Sequence, residues 1–154
     1  MANRQFSDSI VVACAAEELY DMVSDVTQMG RWSPVCTACW WDEGGSPRVG
    51  AQFTGRNELP ERTWETHCKV VAADRGREFA FVVGDDWTRW GYRFEPVAGG
   101  TKLTESWDFL PGGAAMFDAR FGSEAAAQTA NRAELARTGI PATLAAIKRA
   151  AERG

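Results

Sequence analysis

With 154 residues, 16.9 kDa and a formal charge of −4, the chain has the size of one domain, and its acidic balance argues against non-specific nucleic-acid binding. Hydrophobic residues make up 45% and charged residues 25%, which excludes intrinsic disorder as the main state. No apolar run approaches the roughly 20 residues that span a bilayer. The polar start, Met1 to Phe6, lacks the apolar stretch of a signal peptide, so a cytoplasmic protein without an integral membrane segment is expected.

Residues 5–12 alternate and then turn apolar, the pattern of a first strand. In residues 15–23, Leu19, Met22 and Val23 stand at i, i+3 and i+4, which predicts an amphipathic helix. A second short helical turn is expected over 25–32, ended by Ser33-Pro34 because the residue before proline avoids the helical region. Strands are then expected at 37–42, 51–59, 62–73, 78–83, 87–95 and 101–110, with Gly-, Pro- and Asp-rich turns between them. Residues 96–100 read as a long turn. Such regular spacing is that of an antiparallel meander. Pro111-Gly112-Gly113 breaks the pattern, and residues 114–121 read as a short helix or flap. From Ser123, an expected N-cap, the chain is alanine-rich and helical to its end, with a kink expected at Pro141.

Cys14, Cys36, Cys39 and Cys68 are expected to be free thiols in a reducing compartment. Cys36-Thr-Ala-Cys39 has metal-ligand spacing, but one pair gives only half of a closed zinc site. His67 and Cys68 are adjacent on a strand and point to opposite faces, so no metal and no cofactor is expected. His67, the only histidine, shares its face with Glu65 and Lys69 and reads as a surface residue.

Alternation assigns the inward face of the sheet. Ala51, Phe53, Gly55, Asn57 and Leu59 share one face, with Gln52, Thr54, Arg56 and Glu58 on the other. Trp64, Thr66, Cys68 and Val70 form the next inward set, followed by Phe79, Phe81 and Val83. Trp90, Tyr92 and Phe94 follow, and then Leu103, Glu105, Trp107 and Phe109. This aromatic face, drawn from a chain with seven Trp and eight Phe, includes Asn57, Tyr92 and Glu105 as polar groups. Opposite it, the terminal helix has only Leu135 as a large apolar residue between Ser123 and Thr138, until Ile140, Leu144 and Ile147 return as a core stripe. An alanine face opposite an aromatic sheet either packs closely or leaves a space. Three buried polar groups favour the space, because a dry core must supply each with a partner. Trp40-Trp41 places neighbouring indoles on opposite faces, so one of them is exposed or covers an edge.

The order strand, two short helices, six strands and long helix is joined by local phrases. These are Ala16-Glu17-Glu18-Leu19-Tyr20-Asp21-Met22-Val23-Ser24-Asp25, Arg31-Trp32-Ser33-Pro34 and Gly50-Ala51-Gln52-Phe53-Thr54-Gly55-Arg56-Asn57. Trp90-Gly91-Tyr92-Arg93-Phe94-Glu95-Pro96, Gly99-Gly100-Thr101-Lys102-Leu103-Thr104-Glu105 and the segment from Gly139 to Lys148 complete the set. In this order they resemble the START-like (SRPBCC) superfamily, in its polyketide cyclase/dehydrase and lipid-transport branch. The resemblance covers residues 1–154 and implies a single α+β helix-grip domain. In that fold a curved antiparallel seven-stranded sheet wraps a long C-terminal helix, two short helices follow the first strand, and a hydrophobic cavity lies between sheet and helix.

Three functions are compatible with that fold. The first is binding of a small hydrophobic or aromatic ligand, lipid or polyketide-like, by a monomer or homodimer. Its contacts would be Trp32, Phe53, Asn57, Trp64, Phe81, Trp90, Tyr92, Glu105, Trp107, Phe117 and Phe121, with Trp32, Met116, Phe117 and Phe121 at the mouth. The second is an aromatic polyketide cyclase/dehydratase with Glu105 and Tyr92 as catalytic proton-transfer groups. The third is a protein-interaction, toxin-like module that uses an exposed tryptophan. A closed core favours the third, and a large cavity with an unpaired Glu105 carboxyl favours the second. A large cavity with Glu105 paired away, for instance by Arg56 or Arg93, favours the first.

Overall fold

In the computed structural model, residues 3–153 are described; Met1, Ala2 and Gly154, the ends of the expected 1–154 domain, lie outside them. The alternating segments become β1 (Gln5–Val12), β2 (Cys36–Trp41), β3 (Gln52–Leu59), β4 (Arg62–Asp74), β5 (Glu78–Val83), β6 (Thr88–Val97) and β7 (Gly100–Phe109). They form one antiparallel sheet in the order β1-β7-β6-β5-β4-β3-β2. Helix α1 (Ala16–Val23) and a 3-10 turn (Val26–Arg31) follow β1, and α2 (Pro111–Phe121) and α3 (Ala125–Arg153) follow β7. The curved sheet and long terminal helix make the α+β helix-grip arrangement.

The sheet's hairpins hold because their turns carry the residues that reverse a chain, and their inward faces bury what alternation assigned to them. Phe53, Phe79, Phe94, Leu103 and Trp107 are each at most 3% exposed. Helix α1 closes one end by setting Tyr20 edge-on against Phe79 and Phe94, at centroid distances of 6.3 and 5.5 Å. An exposed bidentate pair from Arg75 to Asp21 ties α1 to the β4–β5 turn.

Local chemistry explains where the observed elements depart from expectation. Pro96 belongs to β6 rather than to a turn, because there β6 has outrun β5 and pairs only with β7, so the missing N–H interrupts no ladder. Pro111 ends the strand pattern as expected but also starts α2, three residues earlier than expected, since a proline in the first helical turn gives up only an orphan donor. Ser123 is not an N-cap; it lies inside a 3-10 turn, Gly122–Glu124, that runs into α3. Helix α3 continues through Pro141 to Arg153. Thr54 is buried on its polar face, where its hydroxyl donates to Asp42 Oδ1 at 2.7 Å.

Candidate functional site

Between the sheet and α2–α3 lies an open cavity of about 600 Å³. Its walls are the aromatic residues that alternation turned inward: Phe53, Phe81, Trp90 and Trp107 line it. Helix α3 covers it with Leu135, Ala136, Gly139, Ile140 and Thr143, mostly small side chains that keep the helix from filling the space.

The polar end of the cavity is built by strand register. Tyr92 on β6 stands opposite Glu105 on β7, so both point inward from adjacent strands. Each is 4% exposed. The Tyr92 hydroxyl donates to Glu105 Oε2 at 3.1 Å, and among the described residues Glu105 Oε1 has no partner. Burial pushes the Glu105 carboxyl up to about 8, and the hydrogen bond from Tyr92 only partly opposes it. Burial and the neighbouring carboxyl push Tyr92 well above its ordinary value. Among the described residues no ion pair reaches Glu105: Arg56 lies 3.6 Å from Glu58 and Arg93 lies 4.0 Å from Glu78. Arg93 follows Tyr92 in a strand and therefore faces away.

Asn57 is buried and reaches across to β4, where its Nδ2 donates to Thr66 Oγ1 at 3.2 Å and to the Trp64 carbonyl at 3.4 Å. Beside it a register shift between Cys36 and Ala38 makes Thr37 an extra residue. The bulge turns Cys36 and Cys39 to one face, with their sulfurs 3.1 Å apart in the cavity wall. Gly55 allows this approach, since a Cβ there would stand 3.3 Å from Cys39 Sγ and 3.5 Å from Cys36 Sγ. The hydrogen bond between the two sulfurs lowers Cys36 and raises Cys39, whereas burial pushes Cys68 up to about 12. Among the described residues, no group of three or more His, Cys, Asp or Glu side chains is placed to hold one metal ion.

The cavity's rim holds Trp64 and Phe121, both half-buried, with the guanidinium groups of Arg62, Arg120 and Arg132 beside them. Residues 3–152, nearly the whole chain, match the sequence family described as polyketide cyclase / dehydrase and lipid transport. The chain belongs to this family.

Among solved structures, the polyketide cyclase family member is similar to a polyketide cyclase-like protein from Corynebacterium glutamicum. The two are 48% identical over 99% of this chain and 94% of that one, with a TM-score of 0.73. It shares its fold with a START superfamily protein from Mycobacterium smegmatis, at 17% identity, 98% and 99% coverage and a TM-score of 0.67. The di-domain ARO/CYC protein of the steffimycin biosynthetic pathway matches at 15% identity over 97% of this chain and 50% of its own length, with a TM-score of 0.70. No curated protein matches the chain. Among the described residues, no helix is long and apolar enough to cross a membrane.

In this family member the cavity brings together Phe53, Asn57, Trp64, Phe81, Trp90, Tyr92, Glu105, Trp107, Phe117 and Phe121, as well as Met116. Trp32 is the exception. It was expected at the mouth, but it is 4% exposed within the core cluster and does not line the cavity, because the 3-10 turn before it folds the indole inward. Of the tryptophan pair, Trp40 is 40% exposed and Trp41 packs against Phe53 at 5.6 Å. Sequence reasoning missed Cys36 and Cys39 because a bulge leaves no periodic trace, and Met29 because it lies in the 3-10 turn. It also missed Arg132, although the spacing Arg132, Ala136, Gly139 and Thr143 marks one helix face and gave the signal needed.

Proposed function

We propose that the protein binds a small hydrophobic or aromatic ligand in the cavity between the sheet and α3. One observation carries this reading: about 600 Å³ of space lined by Phe53, Phe81, Trp90 and Trp107 and provided with a single directed polar pair, Tyr92 and Glu105. A mostly apolar pocket with a few convergent polar groups is the usual form of a small-molecule site. Native mass spectrometry of the purified protein, followed by organic extraction, tests it. The expected result is a stoichiometric adduct that Trp90→Ala or Trp64→Ala removes. Repeated preparations without adduct, together with no binding from a panel of fatty acids, flavonoids and polyketides, would sink the reading.

A second reading, catalysis of cyclisation or dehydration, is favoured by the unpartnered Oε1 of Glu105. A carboxyl pushed up to about 8 is mostly protonated at neutral pH and can act as an acid toward a ligand oxygen. In a dehydration, Glu105 would give its proton to a leaving hydroxyl, and the carbon–oxygen bond would break to release water. The carboxylate left behind would take the proton from the adjacent carbon as the double bond forms. Turnover of a β-hydroxy ketone by the wild type and its loss in Glu105→Gln, with ligand binding intact, would support this second reading over simple binding.

A further inference from the structure

The rim of the cavity concentrates positive charge on a protein whose formal charge is −4. Arg62 comes from the start of β4, Arg120 from the last turn of α2, and Arg132 from α3, so three elements separated in sequence bring guanidinium groups to one opening. Among the described residues none of the three has a carboxylate within 4.0 Å, although Glu65 also lies at the rim. Arg132 is half-buried, and its Nη1 donates only to neutral acceptors, Gln128 Oε1 at 3.2 Å and Asn131 Oδ1 at 2.8 Å. Its charged form is disfavoured first by burial and then by Arg62 and Arg120.

Aromatic faces hold these groups in place. Arg62 lies 4.0 Å from the centroid of the Trp64 ring, Arg120 lies 5.2 Å from that of Phe121, and Arg132 lies 5.4 Å from that of Phe117. A guanidinium held over a ring face still has N–H groups to offer an oxyanion, in the planar geometry that suits carboxylate and phosphate, although Nη1 of Arg132 is already used by Gln128 and Asn131. Like charges gathered without counter-charge repel one another, and an anion bound among them would remove that cost. The inner end of the cavity offers no such counter-charge, since Tyr92 and the mostly protonated Glu105 are neutral at neutral pH.

We propose that the cavity takes an amphipathic organic anion, with its apolar or fused-ring body inside and a carboxylate or phosphate at the rim, held by Arg62, Arg120 and Arg132. This rests on the binding role proposed above. The test is tryptophan-fluorescence titration at low salt with dodecanoate, dodecyl phosphate and 1-dodecanol, and with anthracene-2-carboxylate and its methyl ester. Anions should bind about tenfold tighter than their neutral counterparts, and high salt should erase much of that preference. Comparing dodecanoate with dodecyl phosphate identifies which oxyanion is preferred.

Arg132→Gln and Arg62→Gln should lower the anion's affinity and leave the neutral probes unchanged, while Arg132→Lys should restore part of the preference. Arg137→Gln makes the same charge change on α3 away from the rim, at a residue paired with Glu134, and should have little effect. Equal affinity for anions and neutral probes would overturn this inference and leave the binding role standing. Equal weakening by Arg137→Gln and Arg132→Gln would overturn the placement at the rim. If none of the probes binds, the binding role fails and the inference falls with it.

Discussion

The two halves of α3 face the same sheet and do opposite things. In the second half Leu144 and Ile147 are 1% and 0% exposed, within the core that also buries Val12, Val23, Phe79 and Leu103 completely or nearly so. In the first half the buried residues are Ala125, Thr129, Ala133 and Ala136, and from Arg132 through Leu135 and Ala136 to Gly139 the helix lines the open cavity. The strands present aromatic residues to both halves, so the sheet does not decide where the core closes. Side-chain volume on the helix does. One end of the grip is packed to hold the fold, and the other is left thin and holds the cavity.

The largest effects should come from breaking the packed half. Leu144→Ala removes a filled side chain and should destabilise the protein by about 2–5 kcal/mol, read from denaturant unfolding. If Leu144→Ala costs no more than a surface substitution, the contrast between the two halves is wrong.

Next in size is the pH dependence that the buried carboxyl imposes. Glu105 binds its proton more tightly folded, near 8, than at its ordinary value of 4.5. Between those two pH values the native state holds more protons than the unfolded state, so stability falls as pH rises. The contribution is fully present below about 4.5 and is lost as pH passes through about 8, a change on the order of a few kcal/mol at most. Thermal unfolding from pH 5 to 9 should therefore show a decline that Glu105→Gln flattens, because the amide has no proton to titrate and still accepts the Tyr92 hydrogen bond. An unchanged slope in Glu105→Gln would mean that the carboxyl is solvated or paired in solution.

A smaller effect separates the halves by function rather than by stability. Ala136→Leu adds volume to the cavity's helical cover and should weaken ligand binding by about tenfold, a loss of roughly 1.4 kcal/mol, with little cost to folding. Overpacking that lowers stability by as much as Leu144→Ala would show that the cover is already closed around Ala136.

How much of this was legible beforehand follows from which physical signals are periodic. Alternation in β3, β4, β6 and β7 was enough to turn Phe53, Trp64, Tyr92 and Glu105 toward one space, because a strand's side chains alternate whatever the tertiary context. The alanine-rich stretch 125–136, with Leu135 its one large apolar residue, already marked where the helix is thin. Trp32 was misplaced because a 3-10 turn has no dependable face over one or two residues, and its indole entered the core instead of the mouth. Cys36 was illegible for another reason: the extra residue Thr37 reverses the alternation, and nothing in the sequence of β2 announces it. Helix spacing could have placed Arg132 on the cavity face, but bringing Arg62 and Arg120 to the same rim required knowing which strand start and helix end meet it in space, and that is fixed by topology.

The smallest effect sharpens the boundary between the halves. Gly139 stands next to Ile140 where the thin face gives way to the filled one, and it lines the cavity. A Cβ at this position would meet only Pro34 Cγ at 3.7 Å, an ordinary contact. Glycine inside a helix costs roughly 0.5–1 kcal/mol relative to alanine through backbone entropy. Gly139→Ala should therefore stabilise the protein by about that amount and raise the midpoint of thermal unfolding by roughly 2–4 °C. The added methyl is too small to close the space, so ligand affinity should stay near wild type. Destabilisation instead would mean that α3 and the Pro34 loop approach more closely in solution, which would place the edge of the cavity further toward Ala136.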